Sequence, residues 1–96
     1  MSVNHLLFIK FHPHVTDERA GADLAALESL TGRVPGILGL TLGKNFTDRA
    51  AGYTHGVVVT LANRDALAAY IAHPHHVEVA TQLRADADYL VMDYEF

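Results

Sequence analysis

Cysteine and tryptophan are both missing from these 96 residues, proline occurs 3 times, and 7 basic side chains stand against 11 acidic ones. Without cysteine there is no disulfide framework, no thiolate metal site and no thiol nucleophile. A small secreted scaffold held by disulfides is excluded, and a reducing, cytoplasmic setting is expected. The formal net charge of -4 lacks the basic footprint on which nucleic-acid binding depends, and it argues equally against anionic membrane surfaces. No apolar run approaches the ~18 residues of a membrane span. The N-terminal MSVNHLLFIKFH has no early Lys or Arg, and its apolar run stops at Lys10, short of a signal h-region. The glycines show no phosphate-loop spacing such as GxxxxGK, so no nucleotide motif is present and no cofactor is expected. What the chain does have is 50% apolar residues, enough for a single small folded domain over residues 1–96.

Hydrophobic patterning divides that domain into six segments. Val3 to Phe11 reads as a strand ended by His12-Pro13. Thr16 caps a long amphipathic helix in which Ala20, Leu24, Leu27 and Leu30 recur at helical spacing, with Asp17 and Glu18 at its positive end and Gly32 and Pro35 beyond it. Gly36 to Lys44 is a second strand, with Leu38, Leu40 and Leu42 on one face and Ile37 out of phase; Tyr53 to Leu61 is a Val-rich third. Asn63 caps a second helix through Leu67, Tyr70 and Ile71, which Pro74 interrupts and restarts past Val77, Ala80 and Leu83. Tyr89 to Phe96 is the fourth strand. The order βαββαβ predicts an α+β ferredoxin-like sandwich: one four-stranded antiparallel sheet with both helices on one face.

A monomer of that design needs a polar outer sheet face, and this chain does not supply one. His5, Leu7, Ile9 and Phe11 point one way along strand one, while Leu6 and Phe8 point the other. On strand four, Val91 opposes Leu90, Met92, Tyr94 and Phe96. A bare face of Leu6, Phe8, Val58, Leu90, Met92 and Tyr94 exceeds what soluble monomers expose, so a homodimer with facing sheets is expected.

Seven histidines are the feature with chemical content, because imidazole titrates near neutrality and serves as base, acid or ligand. They are densest in Tyr70-Ile71-Ala72-His73-Pro74-His75-His76. A helix broken at Pro74 can turn the Tyr70 hydroxyl and the His76 ring toward one volume, pairing a hydrogen-bond donor with a base. The plainer reading has His73 capping the restarted helix, His75 solvated and His76 satisfied by backbone. A zinc site is a third, since His73 and His76 stand three residues apart on a helical turn. His5 faces the helix side and can reach a pocket there. His55 has the same parity, but antiparallel pairing puts it at the other end of the sheet. His12 and His14 flank Pro13 in a turn and are most simply solvent residues.

The segments NHLLFIKF, VPGILGLTLGKN, AGYTHGVVVTLANRDALAAYIAHPHH and LVMDYEF together resemble the stress-responsive dimeric α/β-barrel (Dabb) family over nearly the whole chain. GYTH before strand three and the YxxHPxH segment are the most specific matches. The resemblance implies a ferredoxin-like protomer, a homodimer whose sheets form a central barrel, and a cavity between sheet and helices in each protomer. His5, Leu7, Ile9, Leu40, Val59, Ile71 and Val91 are expected to line that cavity. The family includes a plant cyclase that closes a linear poly-β-keto thioester by aldol condensation. Carried over, Tyr70 would polarise a carbonyl, His76 would take the proton alpha to it, and His5 would line the site. His75, and Leu24, Ala25, Leu27 and Glu28 of helix one where the cyclase brings aromatics to its alkyl pocket, depart from the cyclase's pattern, so its substrate is not carried over. Some members hold a cation on backbone carbonyls after helix one, which here are those of Thr31, Val34 and Ile37. The leading expectation is a dimer that binds a small, partly apolar ligand. A cofactor-independent aldol-type enzyme is the alternative, and a purely structural dimer with a filled interior is the third reading.

Overall fold

Alternation in Val3–Phe11 produces strand β1, and residues 3, 7 and 9 of it are buried while Phe8 is exposed. The computed structural model describes Met1–Phe96, with α1 at Asp17–Arg33, β2 at Ile37–Lys44, β3 at His55–Leu61, α2 at Arg64–Ala72, α3 at Pro74–Asp86 and β4 at Ala87–Glu95. The sheet order is β2-β3-β1-β4 with every pair antiparallel, and the helices cover one face, so the fold is ferredoxin-like. Thr16 caps α1 by accepting from the Arg19 amide at 3.1 Å, and Asn63 caps α2 by accepting from the Ala66 amide at 2.9 Å. Both hydroxyl and amide caps satisfy amides that the first helical turn leaves unpaired.

The core lies between sheet and helices, where Ile9, Leu30 and Leu61 are fully buried beside Val57, Val59 and Tyr70. Each such aliphatic side chain contributes on the order of 1.5–3 kcal/mol relative to exposure. Three boundaries differ from the sequence reading. A bulge between Ile37 and Gly39 turns Ile37 inward with Leu40 and Leu42 and leaves Leu38 exposed, so Leu38 does not share their face. β3 starts at His55, because Tyr53 and Thr54 follow a tight turn in which Ala51 (φ 53°) and Gly52 (φ 88°) are left-handed. β4 runs from Ala87 to Glu95; Phe96 lies beyond it, with its amide on the Ser2 carbonyl at 3.0 Å.

The outer sheet face is apolar. Phe8, Leu90, Met92 and Tyr94 are all exposed there, and Leu6 pairs with Met92 and Val58 in the ladder. Its polar atoms serve each other: Asn4 donates to the Tyr94 hydroxyl at 2.9 Å and accepts from Thr60 at 2.8 Å.

Candidate functional site

Proline 74 creates the site. The Ile71 carbonyl would ordinarily accept the amide of His75, but that amide donates instead to His73 Nδ1 at 3.2 Å, capping α3. The freed carbonyl takes His76 Nδ1 at 3.0 Å. A carbonyl only accepts, so Nδ1 carries the proton and Nε2 is left as the basic nitrogen of a neutral ring. The plainer reading of His73 and His76 as backbone-bonded therefore describes the same contacts that orient a base.

A cavity of about 190 Å³ opens between the sheet and the helices. Tyr70 and His76 both line it, with ring centroids 4.5 Å apart, and His5 meets Tyr70 edge-on at 5.7 Å. Burial lowers the His76 pKa, assisted by the nearby His5 and opposed by the Ile71 carbonyl. Burial pushes the Tyr70 hydroxyl up to about 12, so at neutral pH it remains a proton donor. A neutral imidazole beside a protonated phenol is an arrangement for removing a proton from carbon and stabilising the oxygen that gains charge.

Of the expected lining residues, His5, Leu7, Val59, Ile71 and Val91 line the cavity. Ile9 and Leu40 do not. Ile9 is wholly buried beneath the sheet, and Leu40 packs against the core from β2, one strand too far from the helix break. Leu27 of α1 lines it too, as the comparison with the cyclase's pattern implied, and Val57, Ala80, Leu83, Arg84, Tyr89 and Asp93 complete the wall and were not anticipated. Asp93 is the consequential omission: it lies directly opposite His5 in the β1–β4 ladder and accepts from His5 Nδ1. Its parity with Val91 was readable, since both must face the helices.

The other histidines lie apart from this cavity. His55 sits opposite Ile9 while His5 sits opposite Val59, which separates them along the sheet, and burial with Lys44 lowers the His55 pKa. His12 meets Asp88 at 3.2 Å, and His75 accepts from Arg33 at 2.6 Å. No three His, Asp or Glu side chains converge as metal ligands, so the HPHH segment does not form a zinc site of that kind. The Thr31 carbonyl is differently placed. Its fourth residue on is Pro35, which has no amide to offer this oxygen.

Fold and cavity define a ferredoxin-like protomer with a tyrosine and a histidine in a pocket under its helices. The model of the stress responsive A/B barrel domain matches residues 3–96, and the chain belongs to that family. Olivetolic acid cyclase of Cannabis sativa is 30% identical over 97 residues, covering 98% of this chain and 96% of the cyclase. The crystal structure of At3g17210 from Arabidopsis thaliana superposes with a TM-score of 0.89 at 32% identity, covering 98% of this chain and 94% of that one. A dimeric ferredoxin-like protein of unknown function from Jannaschia sp. CCS1 gives 0.87 at 26% identity, covering 100% of both chains. No helix is long and apolar enough to cross a membrane.

Proposed function

We propose that this chain works as a homodimer, each protomer of which binds a small, partly apolar carbonyl compound in the cavity under α2 and α3. The observation that carries the reading is the 4.5 Å approach of the Tyr70 and His76 rings on the wall of one mainly apolar cavity. A volume of about 190 Å³ is below the roughly 300–1,000 Å³ of drug-sized sites, which restricts the ligand to a small molecule. Dimeric relatives of the same fold and the apolar outer sheet face support the pairing of two copies. A cation on the carbonyls of Thr31, Val34 and Ile37 would tie the end of α1 to β2, away from the cavity, and would have a structural role.

Catalysis at the same site is the second reading. It is favoured by the fixed His76 tautomer and by similarity to a cyclase over 98% of the chain. In it the Tyr70 hydroxyl donates to a substrate carbonyl while His76 Nε2 removes the adjacent C–H proton. The resulting enolate attacks a second carbonyl, and the proton returns from His76 to the new alkoxide, so no cofactor enters the balance. The test is amide-resolved NMR with a panel of small 1,3-dicarbonyl compounds, followed by turnover assays. Shifts centred on Tyr70, Ile71 and His76 are expected. Shifts confined to the outer sheet face would overturn the binding proposal. For the catalytic reading, His76→Ala and Tyr70→Phe should each cost about 10²-fold or more in rate, and full activity in both variants would defeat it.

A further inference from the structure

Arg84 is a cation on the cavity wall with no carboxylate to neutralise it. The ion pairs of the molecule are His5 with Asp93, His12 with Asp88, Arg19 with Asp86, and Arg64 with Glu95; Arg84 belongs to none of them. Its single side-chain hydrogen bond runs from Nε to the Tyr89 hydroxyl at 3.2 Å. That contact anchors the guanidinium to a second lining residue and leaves the two Nη groups free as a fork for a planar anion. The other charged group of the wall, Asp93, is engaged by His5. A guanidinium in no ion pair, at the exposed edge of a mainly apolar pocket, is a recognition element for negative charge.

Helix geometry fixes where that charge would sit. His76, Ala80 and Arg84 all line the cavity and stand at i, i+4 and i+8 on α3, along one face of the helix. The first and last are about 12 Å apart along the axis at a rise of 1.5 Å per residue. Ala80 between them, with Leu27 and Leu83, leaves an apolar floor.

We propose that the ligand is a carboxylate on a short aliphatic chain, its carbonyl-bearing end against Tyr70 and His76 and its anionic end on Arg84 at the mouth. The inference rests on the cavity being the binding site and adds the class of molecule that it selects.

Paired probes separate the two ideas. Octanoate and its neutral isostere octanamide would be titrated into the intact protein by calorimetry and amide NMR, at low and high salt. Octanoate is expected to bind about tenfold more tightly, a charge-assisted hydrogen-bond pair being worth roughly that ratio or more. Salt should narrow the gap, and Arg84→Gln should abolish it, weakening octanoate far more than octanamide. Arg84→Lys should restore part of it, since lysine keeps the charge without the fork. Tyr89→Phe should weaken it by releasing the anchor. Equal affinity of the two probes, with both shifting Tyr70 and His76, would overturn the carboxylate proposal and leave the cavity reading standing. An octanoate preference that survives Arg84→Gln would also overturn it. Failure of both probes to perturb the cavity would overturn the carboxylate proposal, and the cavity reading would fall with it only if the 1,3-dicarbonyl panel also left Tyr70 and His76 unshifted.

Discussion

The chemistry of the site depends on which nitrogen of His76 is free, and that is decided by one backbone carbonyl. Because Ile71 accepts from Nδ1, the neutral ring has its free basic nitrogen at Nε2, and burial, against the Ile71 carbonyl, lowers its pKa. His76 is therefore expected to titrate below the ordinary ~6.5 of histidine, measured by following its ring carbons by NMR. If the site is catalytic, the acid limb of the rate should share that midpoint, while Tyr70, pushed up to about 12, should impose no basic limb near neutrality. A ring titrating at or above ~6.5 would remove the basis for His76 as a base. Much of this was legible in the YIAHPHH spacing. The partner of His5 was not, because Asp93 is 88 positions away and only strand register brings them together.

At the scale of elements, α1 and α3 carry a buried carboxyl pair that the cavity does not use. Asp23 and Asp86 are 4% and 7% exposed. Asp86 accepts from Arg19 at 2.8 Å and from Gln82 at 3.2 Å, whereas Asp23 Oδ2 has no partner. Burial, followed by the neighbouring Asp86, pushes Asp23 up to about 7; the neighbouring Asp23 and the hydrogen bond from Arg19 hold Asp86 below its ordinary range. Asp23 retains its proton in the folded state at pH values where the unfolded chain has lost it. The stability it contributes is therefore full below the unfolded value near 3.8 and is lost as pH rises toward 7. His76 and His55, lowered from 6.5, add stability as pH rises over part of the same range, so the assignment is read from the difference between proteins: Asp23→Asn should gain in thermal midpoint relative to the wild type as pH rises from about 4 to about 7. An unchanged pH profile in the variant would refute the assignment. Sequence periodicity did not mark Asp23 as buried, because an acid at a core-facing helical position becomes tolerable only when the other helix supplies its partner. The Leu38 bulge was hidden for a related reason: strict alternation has no term for the extra residue that a ladder absorbs. The helix break, by contrast, was written in the chain as Pro74 and its cap His73. His73→Ala should cost about 1 kcal/mol as a lost cap. It should also release the His75 amide to compete for the Ile71 carbonyl, visible as an altered His76 titration.

For the whole molecule, the alternation of β1 and β4 settles what a single copy leaves exposed. Phe8, Leu90, Met92 and Tyr94 are 42%, 52%, 60% and 45% exposed on one sheet face, a cluster too large and too contiguous to suit an isolated protomer. The helices already cover the other face, so a second sheet is the natural cover, and the two-sided apolar pattern was visible before any coordinates. Leu90 faces outward opposite Phe8 in the β1–β4 ladder, and Val91, the next residue, faces the cavity. A charge at position 90 therefore strikes the proposed interface without entering the cavity. Leu90→Glu is expected to convert the dimer to a folded protomer of 10.5 kDa in sedimentation experiments, with its circular dichroism retained. Two like charges brought face to face in a dehydrated sheet interface cannot be paired there, so the dimer should be lost over the whole accessible concentration range. A wild type that sediments as a monomer, or a Leu90→Glu variant that stays dimeric, would show that the outer face is not where two copies meet.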